Sequence, residues 1–285
     1  MAIPNQSEDP GHIFHANAYV LDATIEQPVR EKTGRQAYVE LPSDGKYQFQ
    51  SAQPFQLFGV LSYRSGYTQV AGHKSPKGHG YTTLTTAVVE GLNVLDVVTA
   101  DRVVGQISTD HTFDSDVPHV TFLGTRFVNL RIGGHKVDVD HDLHILGPKP
   151  ARDKSYLEDA GVLSRMSHQV ANIRKVKNLP EWAHEHFQRD KAIAKREGRA
   201  TCSLVRGIHG APGTSFGHVI DLPNFGKIFL GELTVQCKPA QSNDDYDAYH
   251  FQLTMVRLEM GCIGTGTVKM AALDSNGKGG KGGGG

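Results

Sequence analysis

Ser215 sits in Gly213-Thr214-Ser215-Phe216-Gly217, a letter-for-letter match to G-x-S-x-G, with His209, His218 and Asp221 close by in the chain. These are the residue types of a hydrolytic triad, in which an imidazole activates a serine and a carboxylate orients the imidazole. The motif works on a strand–turn–helix elbow that thrusts the serine outward and aims a helix N-terminus at the oxyanion. Here the residues that follow are His218-Val219-Ile220-Asp221-Leu222-Pro223, which read as a short strand stopped by proline. The expectation is a glycine-rich β-turn, with a serine hydrolase on Ser215 as the alternative.

Asp138, Asp140 and Asp142, followed by His144, alternate along one side of a strand. Three carboxylates suit calcium, which takes six to eight oxygens. Same-side neighbours on a strand stand about 7 Å apart, however, too far for one ion without a bend. A solvated acidic face is the expectation, and calcium the weaker reading. The stretch 63–81 carries Tyr63, Arg64, Tyr67, His73, Lys74, His79 and Tyr81. Basic groups interleaved with aromatics can stack on rings and hold an anion, so this loop is the candidate binding segment for a carbohydrate or another small ligand. Gly72, Ser75-Pro76 and Gly78 read equally as the punctuation of a hairpin tip.

His184-Glu185-His186 lacks the i, i+4 spacing that puts two imidazoles on one side of a helix, which excludes a zincin. Phosphate-loop, dinucleotide-binding and cysteine–zinc spacings are missing too, so no cofactor is expected.

The elements that would position these residues are mostly strands. Segments 14–26, 36–41, 57–70, 80–98, 102–110, 118–132 and 135–146 are rich in Val, Ile, Thr, Tyr and Phe, with Gly, Pro, Asp and Ser between them. Gly133-Gly134 is a two-residue hairpin turn. Pairing outward from it sets Ile132 against His135, Leu130 against Val137 and Val128 against Val139 on one face, and a one-residue slip would turn that set to water. The same register places Arg126 opposite His141, a polar pair at the sheet's rim and a candidate ligand contact. Leu163, Met166, Val170 and Ile173 recur at helical spacing. A second helix is expected over about 179–197, capped by Asn178, with Trp182, His186 or Phe187, and Ile193 inward and Gly198 at its exit. Strands resume from 200. In 249–262 the apolar parity changes; a β-bulge near Thr254–Met255 would restore one buried face, and the alternative is a central strand covered on both sides.

Composition sets the outer limits. The 285 residues carry 30 basic and 30 acidic side chains, so no global field draws the chain to nucleic acid. No run is apolar enough for a membrane helix, and the first residues lack a secretory pattern. Cytoplasm is the default expectation, and export with a removed signal the alternative. Cys202, Cys237 and Cys262 are too few for a disulfide framework, and a Cys237–Cys262 bridge belongs with the export reading.

The segments 88–109, 122–147 and 225–262 resemble a group of uncharacterised bacterial β-rich proteins. The resemblance covers most of 12–270 and implies a bacterial β-rich protein. It brings no activity and no site residue.

The expected fold is mainly β, a β-sandwich or jelly-roll-like core with an inserted helical segment at 153–198. Residues 1–11 would be a flexible arm, 12–273 one domain and 274–285 a Gly/Lys-rich tail. The function expected first is a non-enzymatic structural or interaction module that forms a homo-oligomer through sheet edges or tails. Small-ligand binding by loop 63–81 comes second, and the hydrolase third.

Overall fold

A computed structural model describes residues 12–28, 30–75, 80–113, 115, 117–151, 154–187, 198–238, 248–261 and 264–278. In chain order the strands begin with β1 (Ile13–Gln27), β2 (Glu31–Lys32), β3 (Val39–Glu40), β4 (Lys46–Ala52), β5 (Phe55–Leu57) and β6 (Leu61–Tyr63). Then come β7 (Ser65–Lys74), β8 (Gly80–Val94), β9 (Val98–Thr112), β10 (His119–Thr121) and β11 (Arg126–Val128). The short β12 (Arg131–Ile132), β13 (His135–Lys136) and β14 (Asp138–His141) precede α1 (Ala160–Ala171), a 3-10 turn at Ile173–Lys175 and α2 (Glu181–Phe187). The chain returns to strands with β15 (Arg199–Ser203), β16 (Val205–His209), β17 (Thr214–Phe216) and β18 (Val219–Leu222). It ends in the long β19 (Gly226–Lys238), β20 (Ala248–Met260) and β21 (Thr265–Lys278).

Two large antiparallel sheets hold most of these. The first runs β17-β18-β19-β20-β21-β1-β2, with β15 beside β19 and β3 beside β1. The second runs β13-β12-β9-β8-β6-β5, with β7 beside β8 and β4 beside β7. β1, β20 and β21 face β7, β8 and β9 across the core, so the protein is mainly β and built of layers. The first strand pairs with the last, Ile13 opposite Lys278. β21 thus runs through 274–278, which composition assigns to the tail: ladder bonds to β1 and β20 hold this backbone whatever its side chains.

Parity changes at one level in four adjacent strands. Val20 and Leu21, Leu230 and Gly231, Met255 and Val256, and Met270 and Ala271 are consecutive residues, and both members of each pair are buried. Gly231 and Ala271 adopt left-handed φ, +61° and +46°. Register is kept on both sides, with Leu230 opposite Val256 and Glu232 opposite Thr254. The single buried face expected of 249–262 is therefore restored by a kink shared across the sheet, not by a bulge in one strand. The extra inward side chains need room, and glycines opposite provide it. A Cβ on Gly66 would meet Val20 at 2.9 Å, and one on Gly105 would meet Leu273 at 2.7 Å and Met255 at 2.9 Å.

On the outer face the kink leaves Thr254 and Arg257 three residues apart instead of two, and a dent opens between them. The second sheet kinks the other way. At Gly91 (φ +62°) and Asp101, between the pairs Glu90–Arg102 and Leu92–Ala100, consecutive residues face outward.

The helical segment lies against the first sheet. Gln169 of α1 donates to the Ser203 carbonyl at 2.6 Å and accepts from its N–H at 3.0 Å, acting as a strand partner for the end of β15. Asp159 caps α1 through the Val162 N–H. A second small core of Ile173, Leu179, Ala183, Phe187, Phe216, Val219 and Phe229 seats α2 on β17–β19. Asn178, expected as the cap of α2, instead makes the left-handed turn before it (φ +60°), and the Pro180 carbonyl takes the first helical bonds. The remainder of the expected second helix, Ile193 included, lies outside the described residues. Among those described, no helix is long and apolar enough to cross a membrane.

Candidate functional site

The residues singled out in the sequence do not converge. Ser215 is exposed on β17, which pairs directly with β18, Ser215 opposite Ile220 and Thr214 opposite Asp221. A strand, not a helix, follows the motif. His209 is exposed on β16 beside Asp138, and His218 is buried at the hairpin turn. The geometry is a β-hairpin without an elbow.

The acidic stretch has its cations at hand. Lys136 Nζ lies 3.3 Å from Asp138, and Arg206 holds Asp140 through Nε and Nη2 at 3.0 and 2.8 Å. Asp142 is half-buried, and its backbone N–H donates to Leu204. Among the described residues these three aspartates do not gather into a metal-sized cluster.

The Gly133-Gly134 hairpin has the expected register, Ile132 opposite His135 and Arg131 opposite Lys136, and a bond from the Val137 N–H to Leu130 extends it. At Asn129 (φ +51°) the strand turns away. Arg126 pairs with Val104 of β9, while His141 pairs with Val205 of β16. The expected Arg126–His141 pair is therefore broken, because each partner finds a different strand. His141 stacks instead on Phe127, with ring centroids 5.7 Å apart, and burial lowers its pKa.

Segment 63–81 is not one loop but the end of β6, all of β7 and the start of β8. Tyr63 and Tyr81 are buried; Tyr63 donates to Gln36, and burial pushes its phenol up to about 12. Tyr67 stacks on Phe49 of β4 at 5.8 Å. His73 and Lys74 are exposed at the hairpin end, with the Lys74 ammonium 5.4 Å from the Phe113 ring centre. His79 lies outside the described residues. Arg64 lines an open groove.

That groove, of about 560 Å³, lies on the outer face of the second sheet, at its kink. Arg64, Glu90, Asp101, Arg102, Asn129 and Arg131, with Asn93 and Thr99, supply its polar groups. Gly91 forms the floor: a Cβ there would meet Arg64 Nε at 2.3 Å, so the guanidinium lies over the bare backbone. Glu90 accepts from Ser65 at 2.9 Å and from Arg102, and both lower its pKa. Asp101 accepts from Asn129 at 2.6 Å. Among the described residues no aromatic ring lines the groove.

The dent on the first sheet is smaller, about 250 Å³, and more deeply set. Its floor is Glu232, the first residue beyond Gly231 on β19. Arg257 forks onto this carboxylate through Nε and through Nη2 at 3.0 Å, bonds Glu259 through Nη1, and lies 3.5 Å over the Phe229 ring. His186 from the last turn of α2 and His218 from the β17–β18 turn bring Nε2 atoms to 3.5 and 3.7 Å from Glu232 Oε1. Burial alone would raise the Glu232 carboxyl; the imidazole of His218 and the guanidinium of Arg257 more than offset that and hold it at about 2. Sequence spacing could not find this cluster. Its members come from a helix, a turn and two strands, and only Glu232, a carboxylate between Gly231 and Leu233 in an apolar strand, departs from its sequence surroundings.

No curated protein and no solved structure matches the chain. The model of a family described as a domain of unknown function, DUF8256, matches residues 12–236, a span holding the whole groove and all of the dent except the residues beyond β19. The protein belongs to the DUF8256 family.

Proposed function

We propose that the protein is a binding module for a small organic anion, held in the groove over Gly91. One observation carries this: three guanidinium groups, Arg64, Arg102 and Arg131, share a recess with only two carboxylates, Glu90 and Asp101. Arg102 is matched by Glu90, and Asp101 is held by a neutral amide. The recess thus carries one net positive charge, and Arg64 and Arg131, the latter already donating to the Gly134 carbonyl, present planar forks that suit carboxylate or phosphate. The volume is in the usual range of about 300–1,000 Å³ for small-molecule sites. The lack of aromatic lining disfavours a neutral sugar, which a ring face would stack. The binding candidate thus moves from the loop to the groove, with Arg64 common to both.

Thermal unfolding with citrate, glucuronate, inorganic phosphate and glucose tests this. An anion at a hundredfold excess over its Kd adds about 2.7 kcal/mol. Either anionic class should stabilise the protein while glucose does not, and Arg64→Ala with Arg131→Ala should abolish the gain. A gain that survives both substitutions, or no gain with any anion, defeats the proposal.

A second reading, self-assembly through a sheet edge, is favoured by β4. Among the described strands β4 pairs only with β7. Lys46 is its one charged residue, while Tyr47 and Phe49 are 58% and 51% exposed. Long edges without such guards pair readily with other chains. Light scattering should show a dimer that Phe49→Lys converts to monomer; a wild-type monomer at about 100 μM, far above ordinary dimer constants, removes this reading.

A further inference from the structure

We propose that His186, His218 and Glu232 form a binding site for a divalent transition ion of the zinc class, its fourth position opening into the dent on the first sheet. Two imidazoles and a carboxylate are a donor set such ions take. Ligand atoms at 2.0–2.1 Å from a tetrahedral ion stand about 3.3 Å from one another. Here Glu232 Oε1 is 3.5 Å from His186 Nε2 and 3.7 Å from His218 Nε2, and all three atoms lie within 4.8 Å of one another. Each imidazole nitrogen closes on the carboxylate by a few tenths of an ångström, and the two imidazoles, within 4.8 Å of each other, close by up to about 1.5 Å through side-chain rotation.

His218 gives the independent observation. It is 5% exposed, its Nε2 is buried, and that atom has no hydrogen-bond partner among the described residues. A buried imidazole nitrogen aimed at a carboxylate from beyond hydrogen-bond distance is costly in an empty site, and a cation between the two would satisfy both. The carboxylate can serve the ion and Arg257 together, because Oε1 has two lone pairs and Arg257 Nη2 takes one. Arg257 then acts as the partner that fixes a ligating carboxylate. The three ligands are also well anchored: His218 by the hairpin turn against Phe187, Glu232 by the ladder, and His186 by the small core that docks α2. Arg199 and Lys269 line the open side, so the exchangeable ligand there would be an anion or water.

A similar set, His15, His250 and Asp274, lies on the same sheet face, but all three of its residues are only half-buried. It serves as the internal control.

The untagged full-length protein, stripped with chelator, is titrated with Zn²⁺ by calorimetry and with Co²⁺ by visible absorption. One equivalent should bind with the intense bands of four-coordinate cobalt, and Zn²⁺ at a hundredfold excess over Kd should raise Tm by about 5–10 °C. His218→Ala and His186→Ala should each remove that equivalent and its bands, with circular dichroism verifying the fold. His250→Ala and Arg64→Ala should leave both in place. Where His218→Ala fails to fold, His186→Gln is read instead, because its side chain is nearer solvent. Binding that persists in these variants, binding that His250→Ala alone removes, or no cobalt bands in the wild type would overturn the site and leave an ionic cluster of Glu232, Arg257 and two histidines.

Discussion

Arg257→Met should cost the fold about 3–5 kcal/mol, the range for removing one member of a buried ion pair. The figure follows from what is left behind. The Arg257 and Glu232 side chains are 17% and 11% exposed, and the guanidinium supplies two of the bonds to that carboxylate while covering the Phe229 ring. Methionine replaces much of the stem's packing but leaves Glu232 with two imidazoles and no permanent cation. Arg257→Lys should recover only part of the loss, because an ammonium cannot fork onto both oxygens and still reach Glu259. A surface pair offers the contrast: Lys46→Met breaks a bridge to Asp44 between side chains 69% and 60% exposed and should leave the unfolding midpoint near that of wild type. Urea unfolding of the three variants measures this. If Arg257→Met fell within about 1 kcal/mol of wild type, the dent would not be the electrostatic keystone of its sheet.

The same residues show where sequence reasoning stops. Alternation located β1, β8 and β9 to within a few residues, because each buries one side and shows the other. It also found the register at Gly133-Gly134, where turn chemistry and alternation agree locally. It missed β4 because Lys-Tyr-Gln-Phe-Gln-Ser-Ala buries almost nothing and carries none of the Val, Ile or Thr that marked the other strands. It also carried the 126–141 hairpin too far, since nothing in Asp138–His141 says that β16 will outcompete β11 for its edge. The candidate sites were drawn in the same local way. Chemistry was sought in neighbours along the chain, such as Ser215 with His218 or Asp138 with Asp140. The structure instead joins His186, His218 and Glu232 across long separations, at a kink whose left-handed residues, Gly231 and Ala271, look ordinary in sequence.

Acid should destabilise the protein steeply below about pH 6.5, the ordinary value for histidine, and His111→Leu should remove much of that slope. His111 lies on β9 between the sheets, 3% exposed, and neither ring nitrogen has a hydrogen-bond partner among the described residues. Burial foremost, then the nearby charges of His12 and Lys149, lower its pKa to about 3. The folded state thus holds the proton far more weakly than the unfolded chain. As pH falls, the unfolded state takes up the proton first, and stability declines from near the unfolded value down toward the folded one. Two pH units below 6.5, the loss from this residue alone is about 3 kcal/mol, at roughly 1.4 kcal/mol per unit. Leucine fills a similar space and does not titrate. At pH 7 the variant should also be no less stable than wild type, because two unsatisfied nitrogens leave the core. Unfolding free energies at pH 7.5, 6.0 and 4.5 for both proteins isolate the difference, since every other titrating group is common to them. His111 would have to be hydrated or hydrogen-bonded in solution for the two curves to run parallel. Parallel curves would therefore mean that this end of the core is open to water.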